Sequence, residues 1–232
     1  MNKKRVLVGV VVVVAVVAAL SLYFLGGFLK PEDVTTVDES GSTSIDEPVL
    51  RSTIDQMPVG SVSDAEKDGI LYMREEEKLA HDAYLTLYEQ WNLPIFDNIA
   101  RSEQTHTDAV KTLIDKYGLV DPATTTIGTF SNPELQALYD SLLNTGSASL
   151  QSALEVGAAI EEIDILDLQE HIAETDNEDI KLVYENLMKG SRNHLRAFVS
   201  TLERQGYDYT PQYLSQDEYT AIISSPIERG RT

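Results

Sequence analysis

The sequence predicts an all-α protein, namely a four-helix bundle with one long crossover connection, preceded by an apolar N-terminal segment. Three observations support this fold class. Between residues 64 and 205, apolar residues recur at intervals of three and four, the spacing that places side chains on one face of a helix. Turn residues divide this region into four long segments and a short one. No stretch of it alternates apolar and polar residues as a half-buried strand does.

The first two long helices are predicted as antiparallel neighbours. The first begins near Asp64, a residue type that caps helices, and ends just before Pro94. The second begins after Pro94 and stops at Gly118, because glycine readily adopts the left-handed conformation that ends a helix. The turn between the two helices is very short, so they must run side by side.

The second pair of long helices follows a long connection. Residues 119–132 contain turn formers, a short helix is predicted at 133–143, and a Gly/Ser loop follows at 146–149. The third and fourth long helices are predicted at 149–171 and from about 177 to 205. A connection of this length can cross the end of the bundle, which predicts the crossover topology.

The N-terminal segment predicts a membrane anchor. Three basic residues precede an uncharged apolar run at 6–29, long enough for a helix of about 36 Å that spans the bilayer. The basic end favours the cytoplasm, which places the rest of the chain outside it as a single-pass membrane protein. The alternative is a cleaved signal peptide, which would make the protein secreted.

The chain is therefore divided into four parts. Residues 1–30 are the transmembrane anchor or signal peptide, and 31–62 are an acidic flexible tether with Pro and Gly interruptions and few large apolar residues. Residues 63–214 form the helical domain. Residues 215–232 are a tail that we expect to fray.

Composition excludes several classes of function. The chain has no cysteine, which excludes disulfides, zinc–thiolate sites and iron–sulfur clusters, so a metal would need O and N ligands. The formal net charge of −20 makes nucleic acid an unfavourable partner, because the two polyanions repel each other.

Each predicted long helix breaks its apolar stripe near the middle with residues that can bind metal. These residues are Glu77 on the first helix, Glu103 and His106 on the second, Glu161 and Asp164 on the third, and His194 on the fourth. Four buried carboxylates would repel one another strongly, whereas two divalent cations would balance their charge. The alternative readings are a polar network without metal and, for any single Glu-x-x-His pair, an exposed surface pair.

Two further residues lie beside the proposed ligands. His81 follows Glu77 by one helical turn, and we expect it to hydrogen-bond a ligand; the alternatives are a metal ligand and an exposed partner of Glu77. Tyr84 follows Glu77 by two turns and is expected to hydrogen-bond a ligand or relay an electron, with a purely packing role as the alternative.

Three stretches of the chain resemble a known family. They are Arg74–Tyr84 (REEEKLAHDAY), Asn98–His106 (NIARSEQTH) and Gly190–Phe198 (GSRNHLRAF). Glu77-x6-Tyr84 and Ser102-Glu103-x-x-His106 resemble rubrerythrin and the ferritin-like superfamily. The three stretches together look more closely like an uncharacterised ferritin-like domain family of archaea and bacteria, over roughly residues 65–215.

The resemblance implies a metal site with two divalent ions, iron first and manganese or zinc as alternatives. It implies Glu77, Glu103, His106, Glu161 and His194 as ligands. The chain departs from the rubrerythrin pattern at Ser191, where a Glu would be the first residue of Glu-x-x-His; Ser191 is instead expected to lie beside the ligands. Asp164, one turn after Glu161, is the candidate replacement for the missing carboxylate. Without that replacement, the site would hold one metal ion, or a second one loosely. The cysteine module through which rubrerythrins receive electrons is absent.

The predicted function is a membrane-anchored, extracytoplasmic ferritin-like protein that binds a dinuclear metal site. With iron, oxidase or peroxidase-type activity on peroxide or O₂ is expected, and the sequence leaves open whether the chain is an enzyme. A homodimer is also expected. The alternative is a non-catalytic helical interaction module with a structural polar core. Iron storage is disfavoured, because an anchor on every chain is incompatible with a hollow shell.

Overall fold

A computed structural model describes residues 34–38 and 41–230 of the chain. The predicted anchor or signal peptide at 1–30 lies outside the described residues. Within the described part, no helix is both long and apolar enough to cross a membrane.

Helices dominate the described residues, which confirms the all-α fold class. In chain order the elements are β1 (Thr35–Val37), β2 (Thr43–Ile45), α1 (Glu47–Asp55), α2 (Asp64–Trp91), α3 (Pro94–Tyr117), α4 (Pro133–Gly146), α5 (Leu150–Glu174), α6 (Glu178–Arg204) and α7 (Gln216–Ser224). The two strands form an antiparallel hairpin in which Thr36 pairs with Ser44.

Local sequence signals account for the ends of the long helices. Helix α2 starts with a capping box in which Ser63 and Glu66 satisfy each other's backbone N–H groups, so Ser63 rather than the predicted Asp64 is the cap. It ends at Asn92, which adopts a left-handed conformation with φ of 49°. Helix α3 has Pro94 in its first turn and ends at Gly118 with φ of 64°, as predicted.

The four long helices pack around a shared interior. Helix α2 lies against α3 and α5, and α6 lies against the same two helices. Consecutive long helices α3 and α5 therefore occupy opposite corners. The connection between them has to cross the arrangement, and it contains α4, which packs on α2 and α5.

The interior has two apolar halves with a polar layer between them. Tyr84, Phe96 and Phe198 belong to one apolar cluster, whereas Met73 and Val110 belong to the other. The polar breaks predicted in the middle of each helix fall between these clusters. Since the apolar stripes continue on both sides, the polar side chains are held inside the protein.

The segment predicted as a flexible tether is folded over most of its length. Residues 34–38 and 41–55 form the β1–β2 hairpin and α1, which pack against α3 and α6. Leu50 and Ile54 are spaced one helical turn apart and are completely buried. Asp46 accepts a hydrogen bond from Val49 N at 3.2 Å and caps α1. The tether prediction is therefore wrong for this segment, because a short helix with two well-placed apolar residues buries its own face.

The predicted tail is also ordered beyond residue 215. Helix α7 begins with a capping box between Ser215 and Glu218. Further on, Glu228 accepts hydrogen bonds from Arg192 Nε at 2.7 Å and from Arg196 at 3.0 Å. These contacts fasten the C-terminal residues to α6, so the expected fraying is wrong for residues 216–228.

Candidate metal centre

The four long helices each place in the polar layer a carboxylate or imidazole side chain that can bind metal. Helix α2 supplies Glu77, α3 supplies Glu103 and His106, α5 supplies Glu161, and α6 supplies His194. None of these residues is more than 2% exposed. Glu103 and His106 are three residues apart, so they share one face of α3.

The five side chains form two adjoining clusters. In the first cluster, Nδ1 of His106 lies 2.8 Å from Oε2 of Glu103 and 3.3 Å from Oε2 of Glu77. In the second, Nδ1 of His194 lies 2.8 Å from Oε1 of Glu103 and 3.5 Å from Oε2 of Glu161. Each cluster offers three ligand atoms that all lie within 4.8 Å of one another.

Glu103 belongs to both clusters and presents one carboxylate oxygen to each histidine. The rings of His106 and His194 are stacked, with centroids 5.4 Å apart. Ligands that bind one ion at about 2.1 Å lie about 3.0 to 3.4 Å from their neighbours around that ion. The separations of 2.8 to 3.5 Å between these donor atoms match that requirement closely.

Unpartnered buried atoms also concentrate at this centre. Among the described residues, buried side-chain atoms without a hydrogen-bond partner include Glu77 Oε1, Glu103 Oε1, both ring nitrogens of His106, Nδ1 of His194 and Oδ1 of Asp164. A buried polar group without a partner costs about 1 to 3 kcal/mol. The close nitrogen–oxygen approaches lack the alignment that a hydrogen bond requires, whereas a cation between these atoms would satisfy them together. The donor set therefore fits metal ions.

The charges of the metal-free centre are balanced by the histidines. Burial raises the pKa of Glu77 to about 8. Burial also acts to raise the pKa of Glu103, but His106 and His194 more than offset it and lower that pKa far below its ordinary value. Burial acts to lower the pKa of His194, but Glu103 and Glu161 raise it to about 9. In the absence of metal the imidazolium rings thus provide the positive charge that metal ions would otherwise supply.

Two predicted neighbours of the ligands contact the centre. The Tyr84 hydroxyl donates a hydrogen bond to Oε1 of Glu161 at 2.6 Å and is fully buried. Ser191 donates a hydrogen bond to Oδ2 of Asp164. Asp164 belongs to neither three-residue cluster. Burial raises the pKa of Asp164 well above its ordinary value, and repulsion by the Glu77 carboxylate raises it further.

His81 lies away from the centre. Its Nδ1 pairs with Oδ1 of Asp82 at 2.9 Å, and its side chain remains 20% exposed. Asp82 also accepts hydrogen bonds from Lys78 and from Gly128 N, so this group fastens the long connection to α2. The structure therefore does not bring His81 into contact with a ligand, because its position on α2 faces the connection rather than the interior.

Ser102 and Gly190 lie in the stretches that carry the family resemblance, but their contacts at the centre, and those of Thr43, were not predicted from the sequence. Ser102 contacts His194 at 2.9 Å through its hydroxyl, and its other contacts come from Thr43 in β2, far away in the chain. Gly190 leaves the space occupied by the His106 ring, because a Cβ there would lie 2.4 Å from Cε1 of His106. A pattern of apolar spacing along single helices cannot reveal contacts made between different helices.

The acidic run on α2 is buried in full. Glu75 accepts hydrogen bonds from Ser131 N and Asn132 N, at 2.5 and 2.9 Å, and so fastens the long connection. Both oxygens of Glu76 are buried without a hydrogen-bond donor. Burial and the carboxylates of Asp164 and Asp167 raise the pKa of Glu76 well above its ordinary value. Three consecutive acids usually indicate a solvated face, but here each one has a different buried environment.

The fold and these clusters define a helical protein with two adjoining carboxylate–histidine groups that can hold metal. The chain belongs to the family described as "Uncharacterized protein domain (DUF2202)", whose model matches residues 66–226. This confirms the predicted membership of an uncharacterised domain family. The family's description names neither a fold nor an activity.

The chain is also similar to a relative and to a solved structure of the same name. The chain is 58% identical over 178 residues to "Uncharacterized protein MJ0754" of Methanocaldococcus jannaschii, covering 76% of this chain and 96% of the relative. It is also similar to the crystal structure of hypothetical protein MJ0754 from Methanococcus jannaschii, with a TM-score of 0.73 and 58% identity. That comparison covers 75% of this chain and 99% of the solved chain.

Proposed function

We propose that this protein is a ferritin-like metal-binding protein with a dinuclear site in the centre of its four long helices. One observation carries the proposal. Glu103 presents one oxygen to each of two clusters whose other donors are Glu77 and His106, and Glu161 and His194. A carboxylate shared in this way can bridge two ions, which is how carboxylate-rich helical bundles hold metal pairs.

The distribution of ligands over the helices supports the ferritin-like assignment. Such sites take one Glu from each of two helices and Glu-x-x-His from each of the other two. Here α2 and α5 contribute one Glu each, and α3 contributes Glu103 and His106. Helix α6 contributes Ser191 and His194. Ser191 donates a hydrogen bond to Asp164, whose Oδ1 has no partner, and this supports Asp164 as the carboxylate that would take the place of the missing Glu.

Iron is the proposed metal, with manganese or zinc as alternatives, because the donors are carboxylates and imidazoles alone. Bound iron would supply electron transfer to a small oxidant such as O₂ or peroxide. The chain's own part in that chemistry is to hold the ions and control their surroundings. The Tyr84 hydroxyl donates a hydrogen bond to the Glu161 carboxylate and so fixes the orientation of that carboxylate. The apolar clusters on either side of the centre exclude water.

The proposed location rests on the sequence before residue 34. The apolar run at 6–29 and its basic start would anchor the chain in the cell membrane with the helical domain outside the cytoplasm. Cleavage of this segment would release the domain instead. A homodimer is part of the proposal.

Metal content per chain tests the proposal. The full-length chain would be loaded anaerobically with Fe(II), and separately with Mn(II) or Zn(II), and its metal measured by plasma mass spectrometry. We expect about two ions per chain, as in carboxylate-bridged bundles, and loss of both in the double variant Glu103→Ala, His106→Ala. A folded helical protein that takes up none of the three metals would overturn the proposal. The non-catalytic interaction module would then be the better account.

A matched control is available on α5. Glu162 follows the proposed ligand Glu161 and is completely buried, but it accepts hydrogen bonds from Tyr213 N at 2.7 Å and Leu214 N at 2.8 Å. Glu162→Gln should therefore leave the metal content unchanged, while Glu161→Gln should lower it. An equal loss of metal in both variants would show that Glu161 affects metal content only through the folding of α5, and not as a ligand.

A further inference from the structure

The β1–β2 hairpin lies against α3 and α6 at the level of the metal centre. Thr43 N donates a hydrogen bond to the Ser102 hydroxyl at 3.1 Å, and that hydroxyl donates back to the Thr43 carbonyl. Asn193, next to His194, donates from Nδ2 to Oγ1 of Thr43 at 3.2 Å. Thr43, Ser102 and His194 are all completely buried. The hairpin is thus hydrogen-bonded to Ser102 on α3 and to Asn193 on α6, the two residues that flank the proposed ligand His194.

The Ser102 hydroxyl contacts three groups, and these determine where its single proton lies. A carbonyl oxygen can only accept, so the proton of Ser102 points to the Thr43 carbonyl. The remaining contact, from Ser102 Oγ to Nε2 of His194 at 2.9 Å, must then be donated by the imidazole. His194 therefore carries a proton on Nε2. A neutral imidazole protonated there has its lone pair on Nδ1, the atom that faces Glu103 and Glu161.

We propose that Ser102, held by the backbone of Thr43, is a positioning residue that fixes the tautomer of His194 and selects Nδ1 as its metal-binding atom. The inference rests on the proposed metal-binding function. It extends the metal centre to a segment N-terminal to residues 66–226, the region matched by the family model. Partners that fix the second ring nitrogen of a metal-bound histidine commonly change metal affinity about 10- to 100-fold.

The two histidines differ in this respect. Nε2 of His106 has no hydrogen-bond partner and faces the backbone of Gly190, so no side chain fixes the proton on that nitrogen. Loss of the Ser102 hydroxyl should therefore weaken only the ion in the cluster of Glu103, Glu161 and His194. The cluster that contains His106 should keep its affinity.

Zinc binding by Ser102→Ala tests the proposal. In the full-length chain, competition with a chromophoric chelator should show one of the two zinc ions bound about 10- to 100-fold more weakly. Thr105→Ala is the matched control, because Thr105 accepts a hydrogen bond from Ile45 N at 3.0 Å and so also joins the hairpin to α3 without touching His194. Its zinc affinities should equal those of the unmodified chain. Unchanged affinities in Ser102→Ala, or equal losses in both variants, would overturn the proposal.

The tautomer can be observed directly in the unmodified chain, so the result does not depend on how Ser102→Ala or Thr105→Ala folds. Nitrogen-15 NMR of the zinc-loaded, histidine-labelled chain should show His194 protonated at Nε2 and metal-bound at Nδ1, with the signal assigned by its loss in His194→Gln. A proton at Nδ1 would overturn the inference while leaving zinc binding intact. Failure of the unmodified chain to bind zinc would instead overturn the proposed function, and this inference with it.

Discussion

Gly190→Ala should damage the metal centre without removing any ligand. The added Cβ would lie 2.4 Å from Cε1 and 2.6 Å from Nε2 of His106, whereas ordinary contacts of this kind are about 3.5 Å. The ring must therefore withdraw by about 1 Å. His106 is completely buried and its Nδ1 already lies 2.8 Å from Glu103, so the ring has no free space to enter.

A displacement of this size is large for a metal ligand. Metal–ligand distances are held to within about 0.2 Å, so a shift of about 1 Å removes His106 as an effective donor. We expect the affinity for one ion to fall at least about tenfold. The stability of the metal-free protein should change less, because overpacking costs about 1 to 3 kcal/mol and alanine gains about 1 kcal/mol over glycine in a helix.

Gly157→Ala on α5 is the control for overpacking. Its Cβ would lie 2.4 Å from Cε1 of Phe198, an equally tight contact against a side chain that is not a ligand. Zinc affinity would be measured by chelator competition, and stability by urea denaturation of the metal-free chains. Both variants should lose comparable stability, and only Gly190→Ala should lose zinc affinity. Unchanged zinc affinity in Gly190→Ala would refute the placement of His106 as a ligand.

Three further predictions follow. Leu50→Ala should lower the free energy of unfolding by about 2 to 5 kcal/mol, measured by urea denaturation, because Leu50 is completely buried; a negligible change would mean that this segment is not part of the folded domain. Glu76→Gln should raise the stability of the metal-free protein at pH 7 by up to about 3 kcal/mol, whereas Glu75→Gln should lower it. Both are read from the same denaturation curves, and equal effects would contradict the different environments described for these two acids. Metal affinity should increase as pH rises through about 8 and 9, since Glu77 and His194 must release protons to bind; pH-independent binding by calorimetry would contradict this.

The stability gain expected for Glu76→Gln follows from the raised pKa of Glu76. Its folded-state pKa is raised well above the ordinary value of 4.5, so the folded protein retains a proton that the unfolded chain loses. This contribution to stability is complete below about pH 4.5 and is lost as pH rises toward the folded-state pKa. The advantage of Glu76→Gln over the natural chain should therefore grow with pH, and a constant difference would contradict the assignment.

Periodicity along the chain was sufficient to predict the long helices and the polar layer. The spacing that places Glu103 and His106 on one face also places them on the apolar stripe, so their burial could be predicted from the sequence alone. The helix ends at Pro94 and Gly118 could also be predicted, because proline suits the first turn of a helix and glycine readily adopts the left-handed conformation that ends one.

The parts that could not be predicted depend on contacts between distant segments. Nothing near Ser102 indicates that the backbone of Thr43 holds its hydroxyl. Helix α1 is too short for its apolar spacing to stand out, and its stability comes from burying Leu50 and Ile54 against other helices. Glu76 differs from its acidic neighbours only through its surroundings in the folded protein.

The most direct test of the shared carboxylate is the metal content of three isosteric variants. Glu77→Gln, Glu103→Gln and Glu161→Gln would each be loaded with zinc as the full-length chain, and the zinc per chain measured by plasma mass spectrometry alongside circular dichroism. We expect Glu77→Gln and Glu161→Gln to lose about one ion each and Glu103→Gln to lose both, because only Glu103 faces both histidines. Equal metal content in all three folded variants would contradict the account.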